Sequence, residues 1–168
     1  LNRNNSTLIE QSLSTISGVQ VDKRTNIGGQ WIVIRGFGND QKFNNWGVKM
    51  YWNNMPLTNA EGVTLLDDVD FSYVNNIEVI KGPASTFYGG GIGGTVKFYT
   101  RPSFEKGTSI AQNTMLGSHK YFQSITQLNS SDTNYSLNVN YGHIETDGYR
   151  PSGNGLKNFV NINGEYKL

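Results

Sequence analysis

Residues 135–141 read Tyr-Ser-Leu-Asn-Val-Asn-Tyr, so that Tyr135, Leu137, Val139 and Tyr141 alternate with Ser136, Asn138 and Asn140. A second run repeats the pattern. Val160, Ile162, Tyr166 and Leu168 share one parity, while Asn161, Asn163, Glu165 and Lys167 share the other. Successive strand side chains point to opposite faces, so this period specifies β-strands with one apolar and one polar face. Soluble sheets carry the same alternation. Length and ends tilt the balance, because runs of about ten residues with Tyr near their ends suit tilted membrane strands with an aromatic girdle. Thr108–Leu116 and Tyr121–Asn129 alternate only loosely and complete a series of four predicted strands. The connections differ in kind: Ser130–Thr133 is a short turn, whereas Asp147–Lys157 is a long loop of Gly, Pro and Asn. Short turns on one side and long loops on the other are the asymmetry of outer-membrane barrels.

Composition agrees with a β-rich chain. Its 168 residues include 21 Asn, 20 Gly, 9 Tyr, 8 Phe and 3 Trp, a set suited to hairpin turns and aromatic-rich strands. Charged residues make up 16% and the net charge is +1, which supports neither a nucleic-acid stripe nor a steering field for an ionic substrate. The absence of cysteine excludes disulfides, iron–sulfur clusters and thiolate zinc sites without selecting a compartment. Residues 1–11 contain no apolar h-region, so any signal peptide is expected to have been removed. The longest apolar runs, such as Trp31–Ile34, are about four residues, too short for a membrane-spanning helix.

The first hundred residues read differently, as a small mixed α/β domain of short elements. Thr7 and Glu10 form a capping box, and Ile9, Leu13 and Ile16 follow at helical spacing, predicting a helix over 7–17 that Gly18 ends. Strands are expected at Val19–Val21, Gln30–Arg35, Val48–Trp52, Ile77–Lys81 and Thr95–Thr100, with single helical turns at Leu65–Val69 and Ala84–Tyr88. Asn53-Asn54 supplies turn chemistry after the third of these strands.

Five glycines occupy the six positions from Gly89 to Gly94, and Gly89, Gly91 and Gly94 fit the G-x-G-x-x-G spacing of a dinucleotide loop. Such a loop must follow a strand and open a helix, so that the helix N-terminus meets the phosphates. Here a helical turn precedes the glycines and a strand follows, which argues for a tight reversal of the chain. No Gly-Lys-Ser/Thr or G-x-S-x-G motif occurs. His119 and His143 lie in separate hairpins, and Asp67, Asp68 and Asp70 lack the rest of an EF-hand, so they read as caps and a solvated face. The chain is therefore expected to be no enzyme, with no metal site and no cofactor of its own.

Three stretches together resemble the plug domain of TonB-dependent outer-membrane transporters: Trp31–Phe37 (WIVIRGF), Val48–Leu57 (VKMYWNNMPL), and Ile77–Ser85 (IEVIKGPAS) running on to Tyr88-Gly89 and Gly93–Val96. The order, the spacing and the helix ending at Ser17-Gly18-Val19 are similar to that family as well, over most of residues 1–102. Two departures are visible. Asn53-Asn54 stands where the family usually has Asp-Gly, and Lys81 where it more often has Arg; each keeps the chemistry of a turn or a cation.

The resemblance implies an α+β plug domain at residues 1–102, followed at 103–168 by the first four antiparallel strands of a transmembrane β-barrel, part of a 22-stranded barrel with a plugged lumen. Four strands leave two edges that cannot face lipid, so the remaining strands are expected elsewhere in a longer protein. An intact mass near 18.7 kDa would contradict this expectation. Asp147–Arg150 resembles the start of an extracellular loop in the family. The implied function is TonB-dependent import across the outer membrane of a Gram-negative bacterium, with a ferric siderophore or other iron chelate as ligand. Its partners are TonB of the inner-membrane energising complex, outer-membrane lipid and the small-molecule ligand, without nucleic acid. A TonB-recognition box is expected before Leu1. The upper loops, by family position, are Phe37–Trp46 and Thr58–Glu61, which nominates Asn39, Asp40, Gln41, Trp46, Asn59 and Glu61 for ligand contact. Arg35, Glu78 and Lys81 are nominated as a plug–barrel lock, where matching family cations pair with barrel-wall glutamates. Vitamin B12, haem and oligosaccharide remain alternative cargoes. A soluble β-rich glycan-binding module is the alternative from another class, and an oligomeric barrel built from four strands per subunit ranks last.

Overall fold

The computed structural model describes residues 9, 13–23, 25, 27–38, 47–64, 66, 69–82, 85–89, 91–100 and 106–167. The chain divides into two compact units, Leu1–Thr100 and Arg101–Leu168.

In the first unit, most of the expected helix over 7–17 lies outside the described residues. Ile9 and Leu13 are described; both are helical and buried, as their i, i+4 spacing requires. Strands β1 (Val19–Lys23) and β2 (Gln30–Ile34) form an antiparallel pair. Strand β2 stops one residue short of expectation. Arg35 turns into the left-handed region at φ 51 and donates its backbone N–H to Gly18 O at 2.9 Å.

A four-stranded sheet follows, from β3 (Val48–Trp52), β4 (Met55–Pro56), β5 (Asn76–Lys81) and β6 (Gly94–Tyr99), in the order β4-β3-β6-β5. Strands β3 and β6 run parallel, and the other two pairs are antiparallel. Val48, Met50, Trp52, Val96 and Phe98 all point to one buried face. There Trp52 meets Phe71, Tyr73 and Phe98 at ring-centroid distances of 6.5, 5.5 and 6.0 Å. Burial of the Tyr73 hydroxyl, and next the nearby Asp70 carboxylate, raise its pKa above the usual tyrosine range.

Asn53 and Asn54 both adopt positive φ, 47° and 70°, and make the two-residue turn joining β3 to β4. Asn tolerates this region, which is why the pair can stand where Asp-Gly is usual. Asn53 does more than turn the chain. Its Nδ2 donates to Thr100 Oγ1 at 2.6 Å and its Oδ1 accepts from Thr100 N at 2.9 Å. Of the expected turn at Leu65–Val69, Leu65, Asp67 and Asp68 lie outside the described residues; Val69 N donates to Leu66 O at 3.2 Å. Asp70 caps locally, accepting from Ser72 N at 2.9 Å.

The glycine run sits between a single helical turn, α1 (Ser85–Tyr88), and β6, the element order that excludes a phosphate cradle. Its glycines permit close approach. At Gly94, with φ 151°, a Cβ would collide with Ile80 O across the β5–β6 pair.

The second unit is a meander of β7 (Gly107–Leu116), β8 (Phe122–Ser131), β9 (Tyr135–Thr146) and β10 (Gly155–Tyr166), each antiparallel to the next. Strand β10 begins two residues before Lys157, the expected end of the long loop, because Gly155–Lys157 continue the ladder against Ile144–Thr146. The connection is therefore 147–154. The predicted alternation is present with a defined sense. Ser136, Asn138 and Asn140 are buried, whereas Tyr135, Leu137 and Tyr141 are exposed. On β10, Val160 and Ile162 are 65% and 66% exposed. On the polar face Asn138 Nδ2 donates to Asn129 Oδ1, Asn140 Nδ2 to Asn138 Oδ1, and Asn163 Nδ2 to Asn161 Oδ1. No helix among the described residues is long and apolar enough to cross a membrane.

Truncating Trp52 should cost about 3–5 kcal/mol, the usual cost of emptying an aromatic core site. Hydrogen exchange of the β3 and β6 amides should accelerate strongly in Trp52→Ala, and unchanged exchange there would show that the sheet does not depend on this cluster.

Candidate functional site

The chain enters β3 at Val48, after Gly47. It then turns at Asn53-Asn54 and runs back beside the same strand. Leu57 N donates to Met50 O at 2.9 Å, and Met50 N donates to Thr58 Oγ1 at 3.0 Å. The loop after Thr58 thus emerges at the end of the sheet where β3 begins. Thr58 and Thr64 close its base through their hydroxyls at 2.6 Å. Asn59 organises the tip: its Oδ1 accepts from Glu61 N at 3.0 Å and from Val63 N at 2.9 Å. Glu61 is exposed at that tip. Among the expected ligand-contact residues, Asn59 and Glu61 therefore share one built loop, with the Asn59 carbonyl oxygen committed to holding it. Asn39, Asp40, Gln41 and Trp46 lie outside the described residues.

The three lock candidates separate into two places. Lys81, at the end of β5, donates from Nζ to Ser17 O at 3.0 Å. Arg35 packs its Cγ 3.6 Å from the position a Gly18 Cβ would take, and its Nη1 lies 3.9 Å from that of Gly82. These two cations converge on the Ser17–Gly18 turn, and both residues are exposed. No acidic side chain among the described residues pairs with Arg35. Glu78 belongs elsewhere. It accepts from Tyr99 OH at 3.1 Å and lies 3.9 Å from Lys97 Nζ.

That second cluster was not visible in the sequence spacing. Cross-strand register places Tyr51, Lys97 and Glu78 in one row on β3, β6 and β5. Lys97 Nζ donates to Tyr88 OH at 2.9 Å and stands 4.4 Å from the centroid of the Tyr88 ring. Tyr51 OH donates to Tyr88 O at 3.1 Å, and the two rings meet edge-on at 5.8 Å. The cluster thereby fastens the end of α1, where the glycine run begins, onto the sheet. The Tyr88 hydroxyl chiefly raises the Lys97 pKa; burial, then the hydrogen bond to Glu78, raise that of Tyr99.

Among the described residues no group of His, Cys, Asp and Glu could hold a metal ion. The described residues thus offer one built loop tip, at 59–63, two exposed cations at the same end of the sheet, and a helical turn fastened to the sheet through Tyr88.

Comparison with known proteins agrees with this assembly. The model of the TonB-dependent receptor plug domain matches residues 1–95. The chain belongs to that family, as a plug domain followed by antiparallel strands. Solved structures with the same fold include the copper transporter OprC, 23% identical with a TM-score of 0.65 over 95% of this chain and 24% of that one. The ferric yersiniabactin uptake receptor FyuA from Yersinia pestis is 19% identical, with a TM-score of 0.67 over 95% of this chain and 26% of that one. The FrpB iron transporter from Neisseria meningitidis is 17% identical, with a TM-score of 0.64 over 90% of this chain and 24% of that one. The chain thus spans about a quarter of the length of these transporters.

Two outcomes are expected. Asn59→Ala should free the Glu61 and Val63 amides and loosen the loop by about 0.5–2 kcal/mol, while Glu61→Ala leaves it intact; equal hydrogen exchange in both variants would deny Asn59 its organising role. The second concerns alkali. Both pKa shifts are upward, so the stability they contribute is complete below the ordinary values of 10.5 for lysine and 10.0 for tyrosine and is lost as pH climbs through the raised ones. The Lys97 charge works against the rise at Tyr99, so tyrosine ultraviolet titration should show this residue ionising at higher pH in Lys97→Met, and an unshifted transition would count against the contact.

Proposed function

We propose that this chain serves in TonB-dependent import of a scarce ligand across the outer membrane of a Gram-negative bacterium, the plug closing a barrel to which β7–β10 contribute strands. The observation that carries this reading is the sense of the alternation on β9 and β10: a plug-family domain is followed by strands on which Tyr135, Leu137, Tyr141, Val160 and Ile162 are exposed while Ser136, Asn138 and Asn140 are buried. In water such a sheet exposes apolar area that burial would stabilise, whereas against lipid the same face is at rest. A soluble glycan-binding module would need the opposite sense. A ferric siderophore or other iron chelate is the cargo class we favour, since similar folds are named for uptake of ferric yersiniabactin, iron and copper. The loops at the β3 end, Phe37–Trp46 and Thr58–Glu61, would meet that ligand.

Lys81 grips the Ser17 carbonyl, so tension applied to the chain before residue 17 would act directly across this contact. As exposed surface charges, Arg35 and Lys81 contribute little by themselves. Paired with carboxylates on a barrel wall, each would be costly to release, about 3–5 kcal/mol when one partner of a buried pair is removed.

The experiment is uptake of radiolabelled ferric chelates, cobalamin, haem and glycans by cells carrying the receptor, with and without a functional TonB. Import of a ferric chelate that vanishes without TonB is expected, and TonB-independent uptake, or none of any probe, would overturn the assignment. Arg35→Gln combined with Lys81→Gln should increase passive leakage of small solutes through the receptor. Unchanged leakage would remove these cations from plug retention.

A further inference from the structure

The connection between β7 and β8, residues 117–121, is built around a tight turn closed by Gly117 N to Tyr121 O at 2.9 Å and Tyr121 N to Ser118 O at 3.1 Å. Its central residues are His119 and Lys120, at φ 56° and 54°. Turns of this kind take Asn-Gly without strain, whereas longer L-residues are held in the left-handed region only when surrounding contacts enforce it. Those contacts come from the neighbouring connection, 147–154. His119 O accepts from Asp147 N at 2.9 Å and from Thr146 Oγ1 at 3.3 Å. Lys120 Nζ pairs with Asp147 Oδ2 at 2.7 Å. Thr146 Oγ1 also accepts from Gly148 N at 3.1 Å, and Gly153 N donates to Arg150 O at 2.9 Å, which shapes the second connection from within.

The two hairpin ends are thereby tied into one surface whose free groups are cationic and aromatic. Tyr149 is 61% exposed. Its ring lies 6.5 Å from that of His119 and carries the Arg150 guanidinium at 5.1 Å. The Lys120 charge is matched by Asp147. No carboxylate among the described residues pairs with Arg150. A guanidinium laid on an aromatic ring keeps its N–H edge turned outward, the geometry that grips two oxygens of a carboxylate or phosphate at once. The imidazole adds a further donor beside it.

We propose that His119, Tyr149 and Arg150 form an oxyanion-binding site at the joined ends of these two hairpins, with Arg150 as the bidentate donor, Tyr149 as its platform and the strained His119–Lys120 turn as its fixed neighbour. The chemistry recognised is a carboxylate or phosphate group. A dissolved solute and a lipid headgroup both supply such groups, and no imported cargo is presupposed.

The test uses the intact receptor in detergent at constant ionic strength, titrated with citrate and with inorganic phosphate while hydrogen exchange is followed at residues 118–120 and 147–153. A parallel set uses nanodiscs with phosphorylated or dephosphorylated lipid A. Protection by the soluble anions assigns a solute group, and protection only by phosphorylated lipid assigns a headgroup; either supports the site. Arg150→Gln should weaken binding about ten- to a hundredfold, the loss expected for a charge-assisted bidentate contact. Arg150→Lys, which keeps the charge and loses the fork, should recover only part of it. No protection by any of these anions, or equal protection in wild type and both Arg150 variants, overturns the proposal. Because transport and TonB are not involved, failure here leaves the import assignment untouched, and failure of import leaves this site standing.

Discussion

Val48–Trp52 and Gly94–Tyr99 are far apart in the chain, yet they lie side by side as a parallel pair in the middle of the plug sheet. A parallel pair cannot be joined by a tight turn and needs a long crossover. Of the chain between them, β4 pairs with β3 and β5 with β6, so both edge strands are placed by this central pair. It places Trp52 beside Phe98, with Phe71 and Tyr73 against Trp52 on the buried side. On the other side it sets Tyr51 next to Lys97, and so fixes where Tyr88 and the glycine run are fastened.

The same pairing accounts for the position of the 59–63 loop. Since β3 turns at Asn53-Asn54 and the chain returns along it, the 59–63 loop comes back to the end at which the strand began. The end of β5 and the start of β6 meet there as well, through Lys81 opposite Gly94, which brings in Arg35 and the Ser17–Gly18 turn. The 59–63 loop and the two cations thus share one end of the sheet, while Glu78 lies further along β5 with Lys97 and Tyr99. A charge nominated by motif position and a charge placed by register need not belong to the same cluster.

Alternation marks the last two strands of the second unit clearly and leaves the sense of burial open. A period of two states that a strand has two unlike faces and is silent on which one meets solvent. Here Asn138 and Asn140 are covered while Tyr135, Leu137, Tyr141, Val160 and Ile162 are open, and Tyr166 is 69% exposed. Loop length was less legible, since Gly155 is a turn former and Gly155–Lys157 still extend the ladder, because Ile144–Thr146 offer them partners. Tertiary pairing outweighs local propensity at such positions.

By itself, the sequence determined the local features: the strand period, the left-handed turn at Asn53-Asn54, the order of helical turn, glycines and strand, and the motifs that mark a plug. Each depends on residues close together in the chain, where sterics and hydrogen bonding act over a few bonds. The tertiary structure alone decided which side chains meet. Asn53 finding Thr100, Lys97 finding Tyr88 and Glu78, and Asp147 finding Lys120 all join separate strands or loops. Such contacts follow from strand register and hairpin geometry, and those are set by the burial of whole faces, which no short stretch of sequence encodes.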